Sequence, residues 1–224
     1  SGQNRPVELF TYLALLNAAV LPLAAVRGWR QLEWVAFLFT QFYYLVWLDQ
    51  NQVPDMFWIG VGAGTVFFVE FLILPALGRR AAASFSFVHA AVSVVNPALY
   101  LLALHSLLWP DHRWALTFAA LGLAALHLIV ARMAPVDPEG RPTLARLLPA
   151  GLALALVTVA VPIRLSGVWI TCAWAAEAAA IVWTGFRTNL WPLRALGLVL
   201  FGIVALQLPA WDRPQVQFLW NPRL

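Results

Sequence analysis

Four ionisable side chains stand inside long apolar runs of this sequence: Glu70, His89, His127 and Glu177. Such groups are rare in apolar segments, because a charge at the centre of a bilayer costs about 2.5–3.5 kcal/mol on insertion scales. Brought together, two carboxylates and two imidazoles could relay a proton near neutral pH, or hold a cation or a polar head group. The bland alternative gives each residue its own hydrogen bond across a helix interface. The sequence favours the bland reading, because spacing along a run fixes depth and leaves open the face that each side chain occupies. Glu177 is the strongest single candidate. It sits in Trp174-Ala175-Ala176-Glu177-Ala178-Ala179-Ala180, and small residues let helices approach closely, so this stretch should face protein.

Two amides also fall within apolar runs, Asn17 and Asn96, the latter followed by Pro97. Proline removes a backbone hydrogen bond and permits a kink. Asn96-Pro97 therefore reads either as a broken helix lining a site or as a packing and kink position with an interhelical hydrogen bond. The second reading is preferred, and Asn17 is read the same way. Glu8, Glu33, Asp49, Asp55 and Asp111 lie at the ends of runs and read as solvated.

The elements that must position these residues follow from composition. Of 224 residues, 62% are hydrophobic and 11% are charged. Ordinary soluble domains are roughly 45–50% apolar and about 25% charged. The surplus cannot be hidden inside a fold of this size, so lipid is the natural solvent. Continuous apolar runs point to helices, since a membrane barrel alternates. Eight segments read as spans, at about 20 residues per crossing: 7–26, 31–48, 56–77, 84–108, 114–132, 147–163, 168–186 and 195–208. The expectation is an all-α polytopic helix bundle in up-down hairpins, one domain over residues 1–224. The last segment is short for a crossing. The stretch from Ala134 to Arg146 holds Pro135, Pro138, Gly140 and Pro142 and reads as an irregular loop.

Arginine supports this division. The odd-numbered loops hold Arg27, Arg30, Arg79, Arg80, Arg132, Arg141, Arg146, Arg187 and Arg194, and the even-numbered ones hold Arg113 and Arg164. That is the positive-inside pattern, with odd loops in the cytoplasm and both ends of the chain outside. Measured from the cytoplasmic ends, the four ionisable residues lie about five to nine positions in, roughly 7–14 Å deep at 1.5 Å per residue. Tryptophans such as Trp58, Trp109, Trp169 and Trp183 fall near segment ends, as an aromatic belt would. Gly60, Gly62 and Gly64 lie within a span and read as packing positions. Leu16-Asn17-Ala18-Ala19-Val20 echoes Val95-Asn96-Pro97-Ala98-Leu99 in helices of opposite sense, a weak hint of an inverted repeat.

Other chemistries lack their residues. There is no phosphate-binding glycine loop, no metal-binding histidine helix and no serine elbow. Neither a metal nor a cofactor is expected. All fourteen basic residues are scattered arginines, without the patch that nucleic acid would need. The single cysteine, Cys172, reads as a buried, inert thiol. The start at Ser1 and the stop at Asn221-Pro222-Arg223-Leu224 read as the limits of a fragment of a longer protein.

The stretch Ala160-Val161-Pro162-Ile163-Arg164-Leu165-Ser166-Gly167-Val168-Trp169-Ile170-Thr171-Cys172-Ala173-Trp174-Ala175-Ala176-Glu177 resembles a signature of the bacterial membrane protein family called domain of unknown function 2339. Asn96-Pro97-Ala98-Leu99-Tyr100 and Asn221-Pro222-Arg223 are similar to it as well. The likeness covers most of the chain in rhythm and is specific around Trp169 to Gly185. It implies a long protein with further spans, and it marks Trp169, Trp174 and Glu177 as characteristic positions. Arg164 and Cys172 are less typical of it. The resemblance implies topology and no chemistry. The expected setting is the bacterial cytoplasmic membrane, with membrane lipid and the remaining spans of the full-length protein as partners. Three function classes stay open. A non-enzymatic, envelope-associated scaffold is preferred. A transporter or flippase built on Glu70, His89, His127 and Glu177 is the alternative. A membrane enzyme acting on a lipid-linked substrate through Asp111 and His112 is the third.

Overall fold

The computed structural model describes residues 5–51, 54–81, 87–134, 136, 143–165, 168–187 and 191–219. These form eight α-helices, with no paired strands among the described residues: α1 (Pro6–Arg27), α2 (Arg30–Gln50), α3 (Phe57–Ala81), α4 (Phe87–Leu108), α5 (Arg113–Met133), α6 (Leu144–Arg164), α7 (Val168–Arg187) and α8 (Trp191–Leu219). The chain is an all-α helical bundle, as its continuous apolar runs require.

Helix ends follow local chemistry. Pro6 opens α1, where its missing N–H is not needed. Gly28 closes α1 at φ +71°, a left-handed conformation that glycine adopts without a side-chain clash. The largest difference from the sequence expectation is α8, which spans 29 residues where 195–208 is expected. Pro192 stands at its second position, where proline is tolerated. The helix also continues past Pro209, at which the apolar run ends. Pro135, Pro138, Gly140, Pro142 and the terminal Asn221-Pro222-Arg223 lie outside the described residues.

Among the described residues, four helical stretches are long and apolar enough to cross a membrane: α1, His89–Leu108 of α4, α5 and α6. Phe57–Ile73 of α3 and Leu193–Leu206 of α8 are shorter apolar stretches. Burial reverses the pattern of a water-soluble protein. Asn17, Glu33, Thr40, Gln41, His89, Asn96 and His127 are buried, while Leu15, Val26, Phe42, Phe118, Trp183 and Leu206 are exposed. Apolar exposure on this scale suits a lipid solvent. Helix α2 shows it on one element: Glu33, Phe37, Thr40, Tyr44 and Trp47, spaced by three and four, are buried, and Leu38, Phe39 and Phe42 face out.

The chain divides into two compact units, Ser1–Leu154 and Ala155–Leu224, with the boundary inside α6. In the first unit, α3 packs on α1, α2 and α4, and α4 also packs on α2 and α5. Phe10, Tyr44, Trp47 and Phe67 form one aromatic core, with Phe10 and Trp47 edge to face at 4.9 Å. A second core joins Leu21, Phe37, Phe71 and Val92. Such edge contacts add about 0.5–1.5 kcal/mol beyond burial.

Small residues set the closest approaches. A Cβ on Gly64 would overlap the Tyr44 hydroxyl, which donates to the Gly60 carbonyl at 3.0 Å. In the second unit α7 packs on α8, and a Cβ on Gly197 would stand 3.0 Å from the Ala178 carbonyl oxygen. Gly62, by contrast, has open space where its Cβ would be. Gly64→Val should therefore cost about 1–3 kcal/mol by overpacking and lower the melting temperature of the detergent-purified protein. Gly62→Val should leave it nearly unchanged. Equal effects of the two substitutions would show that α2 and α3 do not meet at Gly64.

Candidate functional site

One polar assembly in the first unit ties three helices. Asn17 of α1 is 3% exposed. Its Nδ2 donates to Glu70 Oε2 of α3 at 3.0 Å and lies 3.1 Å from Thr40 Oγ1 of α2. The Thr40 hydroxyl in turn lies 3.3 Å from Asn17 Oδ1. Since Asn offers two donors and one carbonyl oxygen, it can serve a hydroxyl and a carboxylate at once.

A second assembly ties α2 to α4. Glu33 Oε2 lies 3.2 Å from His89 Nε2, and the two side chains are 1% and 4% exposed. This corrects the reading of Glu33 as a solvated end residue. It belongs to the buried stripe of α2 with Phe37, Thr40 and Tyr44. The other end-of-run carboxylates, Glu8, Asp49, Asp55 and Asp111, are exposed.

Asn96 of α4 donates to the Phe68 carbonyl of α3 at 2.9 Å, so the amide before Pro97 is an interhelical packing contact. His127 of α5 bonds within its own helix, Nδ1 to the Leu123 carbonyl at 2.8 Å. A carbonyl only accepts, so Nδ1 carries the proton and Nε2 is left as an acceptor. Among the described residues Nε2 has no hydrogen-bond partner.

In the second unit the Thr158 hydroxyl of α6 donates to Glu177 Oε1 at 2.6 Å. Trp174 Nε1 donates to the Thr158 carbonyl at 2.9 Å. Glu177 thus has a partner one helix away, with Trp174 bracing the same threonine. Glu177 Oε2 is buried and, among the described residues, has no hydrogen-bond partner. Trp169 is 71% exposed, where lipid or the interface would meet it. Cys172 is exposed too, which overturns its reading as a buried thiol: its position on α7 points away from the packed face.

Glu70, His127 and Glu177 bond to different partners, Asn17, Leu123 and Thr158, and His89 stands beside Glu33. Sequence reasoning missed Glu33, Thr40 and Thr158. The first two had a readable signal in the spacing by three and four with Phe37, Tyr44 and Trp47. Thr158 had none, because a lone threonine in an apolar helix commonly bonds its own backbone.

One cavity adjoins this network. It has a volume of about 450 Å³ and lies between α1 and α3, walled by Phe10, Ala14, Ala18, Ile59, Ala63 and Phe67, with Glu70 in its lining. Of the four ionisable residues of the apolar runs, Glu70 is the one that lines it.

Compared with protein families, the chain matches over residues 1–222 a family described as "Predicted membrane protein (DUF2339)". Neither the curated proteins nor the solved structures give a significant match.

The buried Glu33–His89 pair generates a test by double-mutant cycle. Removing one member of a buried ion pair typically costs about 3–5 kcal/mol, whereas replacing both by apolar residues can be neutral. Glu33→Leu or His89→Leu alone should sharply reduce thermal stability in detergent. The double substitution should recover much of that loss. Strictly additive losses would show that the two side chains do not interact.

Proposed function

From a chain that belongs to the DUF2339 family of membrane proteins, we propose a non-enzymatic component of the bacterial cytoplasmic membrane, a helical scaffold associated with the envelope. All eight helices cross the bilayer in this reading, with the arginine-rich odd loops in the cytoplasm and both ends of the chain outside. Its partners are membrane lipid and the remaining spans of the full-length protein.

One observation carries the reading: buried polar groups join helix to helix. Asn17 joins α1 to α2 and α3, Glu33 and His89 join α2 to α4, Asn96 joins α4 to α3, and Thr158 joins α6 to α7. Groups fixed to one another in this way suit a rigid part better than a moving one. A transporter or flippase is the second reading. It draws on the cavity between α1 and α3 and on Glu70 in its lining. For a membrane enzyme, Asp111 and His112 offer an exposed turn and nothing more.

Two measurements test the proposal. In a Cys172→Ser background, single cysteines at Arg79 and Arg187 should both be labelled from the cytoplasmic side by an impermeant maleimide; labelling from opposite sides refutes the topology. In the full-length protein, Glu177→Gln should lower abundance in the membrane, and any phenotype of the null strain should return in proportion to that loss. Full loss of function at normal abundance would replace the scaffold with a transport site.

A further inference from the structure

The cavity between α1 and α3 has an unusual pairing of walls and end. Its walls are apolar apart from Thr11, and the single ionisable residue in its lining is Glu70. Among the described residues, Asn17 is the one donor to that carboxylate, and it engages Oε2 alone. An ionised carboxylate offers about four acceptor positions over two oxygens. Most of that capacity is left for whatever enters the cavity. Glu70 is only part-buried, so it is not sealed behind its partner.

The rim settles which phase the cavity communicates with. Val7, Leu15, Trp58 and Val66 line it and are among the exposed apolar residues of the first unit. In the membrane reading proposed above that exposed apolar surface faces lipid, and a ligand arrives by partitioning into the bilayer. The mostly apolar walls offer a hydrated ion or sugar few partners. From Trp58 to Glu70 the groove follows α3 for twelve positions, roughly 18 Å at 1.5 Å per residue. That accommodates an elongated apolar body with one charged end.

We propose that the α1/α3 groove binds a lipophilic cation, an amine or quaternary ammonium head on an aliphatic or aromatic body, with the head on Glu70 and the body along Ala14, Ala63 and Phe67. The charge argument is complementarity. A lone carboxylate in a low-dielectric groove attracts a cation far more strongly than it would in water. The cation also brings its own apolar body, which the walls solvate. Phe10 and Phe67 line the same space, and aromatic rings attract cations within about 6 Å. A scaffold can carry such a site as well as a transporter can.

The test uses the protein in lipid nanodiscs and radiolabelled decyltrimethylammonium as the probe, with empty discs subtracted. Saturable binding near one probe per chain is expected. Dodecyltrimethylammonium should displace it, and dodecanol, which has the same chain without the charge, should not. Glu70→Gln should weaken binding at least tenfold, although Gln can still accept the Asn17 bond and preserve the fold. Gly62→Leu should also weaken it, because its side chain would grow into open space in the cavity lining. Glu177→Gln, in the other unit, should bind normally. Absence of saturable binding, equal binding by Glu70→Gln, or displacement by dodecanol as effective as by the ammonium would each overturn the proposal. The last result would mean that the groove takes alkyl chains regardless of charge.

Discussion

Hydrocarbon cannot accept or donate a hydrogen bond, and that one fact about the solvent arranges this molecule. A polar side chain on a helix in lipid must turn toward another helix and find a partner there. Apolar side chains carry no such demand, since lipid tails solvate leucine as well as protein does. Hence the inversion seen along α2, where Glu33, Thr40 and Gln41 are buried while Leu38, Phe39 and Phe42 are exposed. Polar contacts decide which faces meet, and aromatic packing around Phe10 and Phe37 fills the space between them.

Within the first unit these contacts converge on α3. Asn17 reaches Glu70 from α1, Tyr44 reaches the Gly60 carbonyl from α2, and Asn96 reaches the Phe68 carbonyl from α4. A hydroxyl pair, Thr65 with Tyr100 at 2.8 Å, adds a second tie to α4. The glycine at position 64 makes the approach of α2 possible, because a side chain there would occupy the place of the Tyr44 hydroxyl. Small residues and buried polar groups thus act together: the former bring backbones close, and the latter hold the rotation of each helix.

The sequence exposed the fold well because bilayer thickness imposes a length that apolar runs must satisfy, and arginines mark alternate connections. Seven of the eight helices begin and end within about four residues of the expected segments. The exception, α8, runs on where its apolar content stops, and helix formation there is not set by hydropathy. The site was legible only in part. Glu70, His89, His127 and Glu177 were conspicuous because charge is costly in an apolar run. Among their partners, Thr158 and the Leu123 carbonyl were not, because such groups cost little and leave no mark. Glu33 was misread because a position near a helix end resembles an interface position. Its spacing with Phe37, Thr40, Tyr44 and Trp47 marks the buried stripe, but its neighbour His89 lies on α4, which no local pattern in α2 encodes.

The echo between Asn17 and Asn96 acquires a physical meaning on α3. Both amides reach the same helix, at positions two residues apart, from α1 and from α4. One meets a carboxylate and the other a backbone carbonyl. A carbonyl already engaged by its own helix can take one further donor and is then satisfied. A carboxylate that takes one donor remains largely unsatisfied. The same residue type therefore closes the α3/α4 seam and leaves the α1/α3 seam chemically open, on the side where the cavity lies. The α1 side of α3 is therefore where a bound group would meet an open carboxylate.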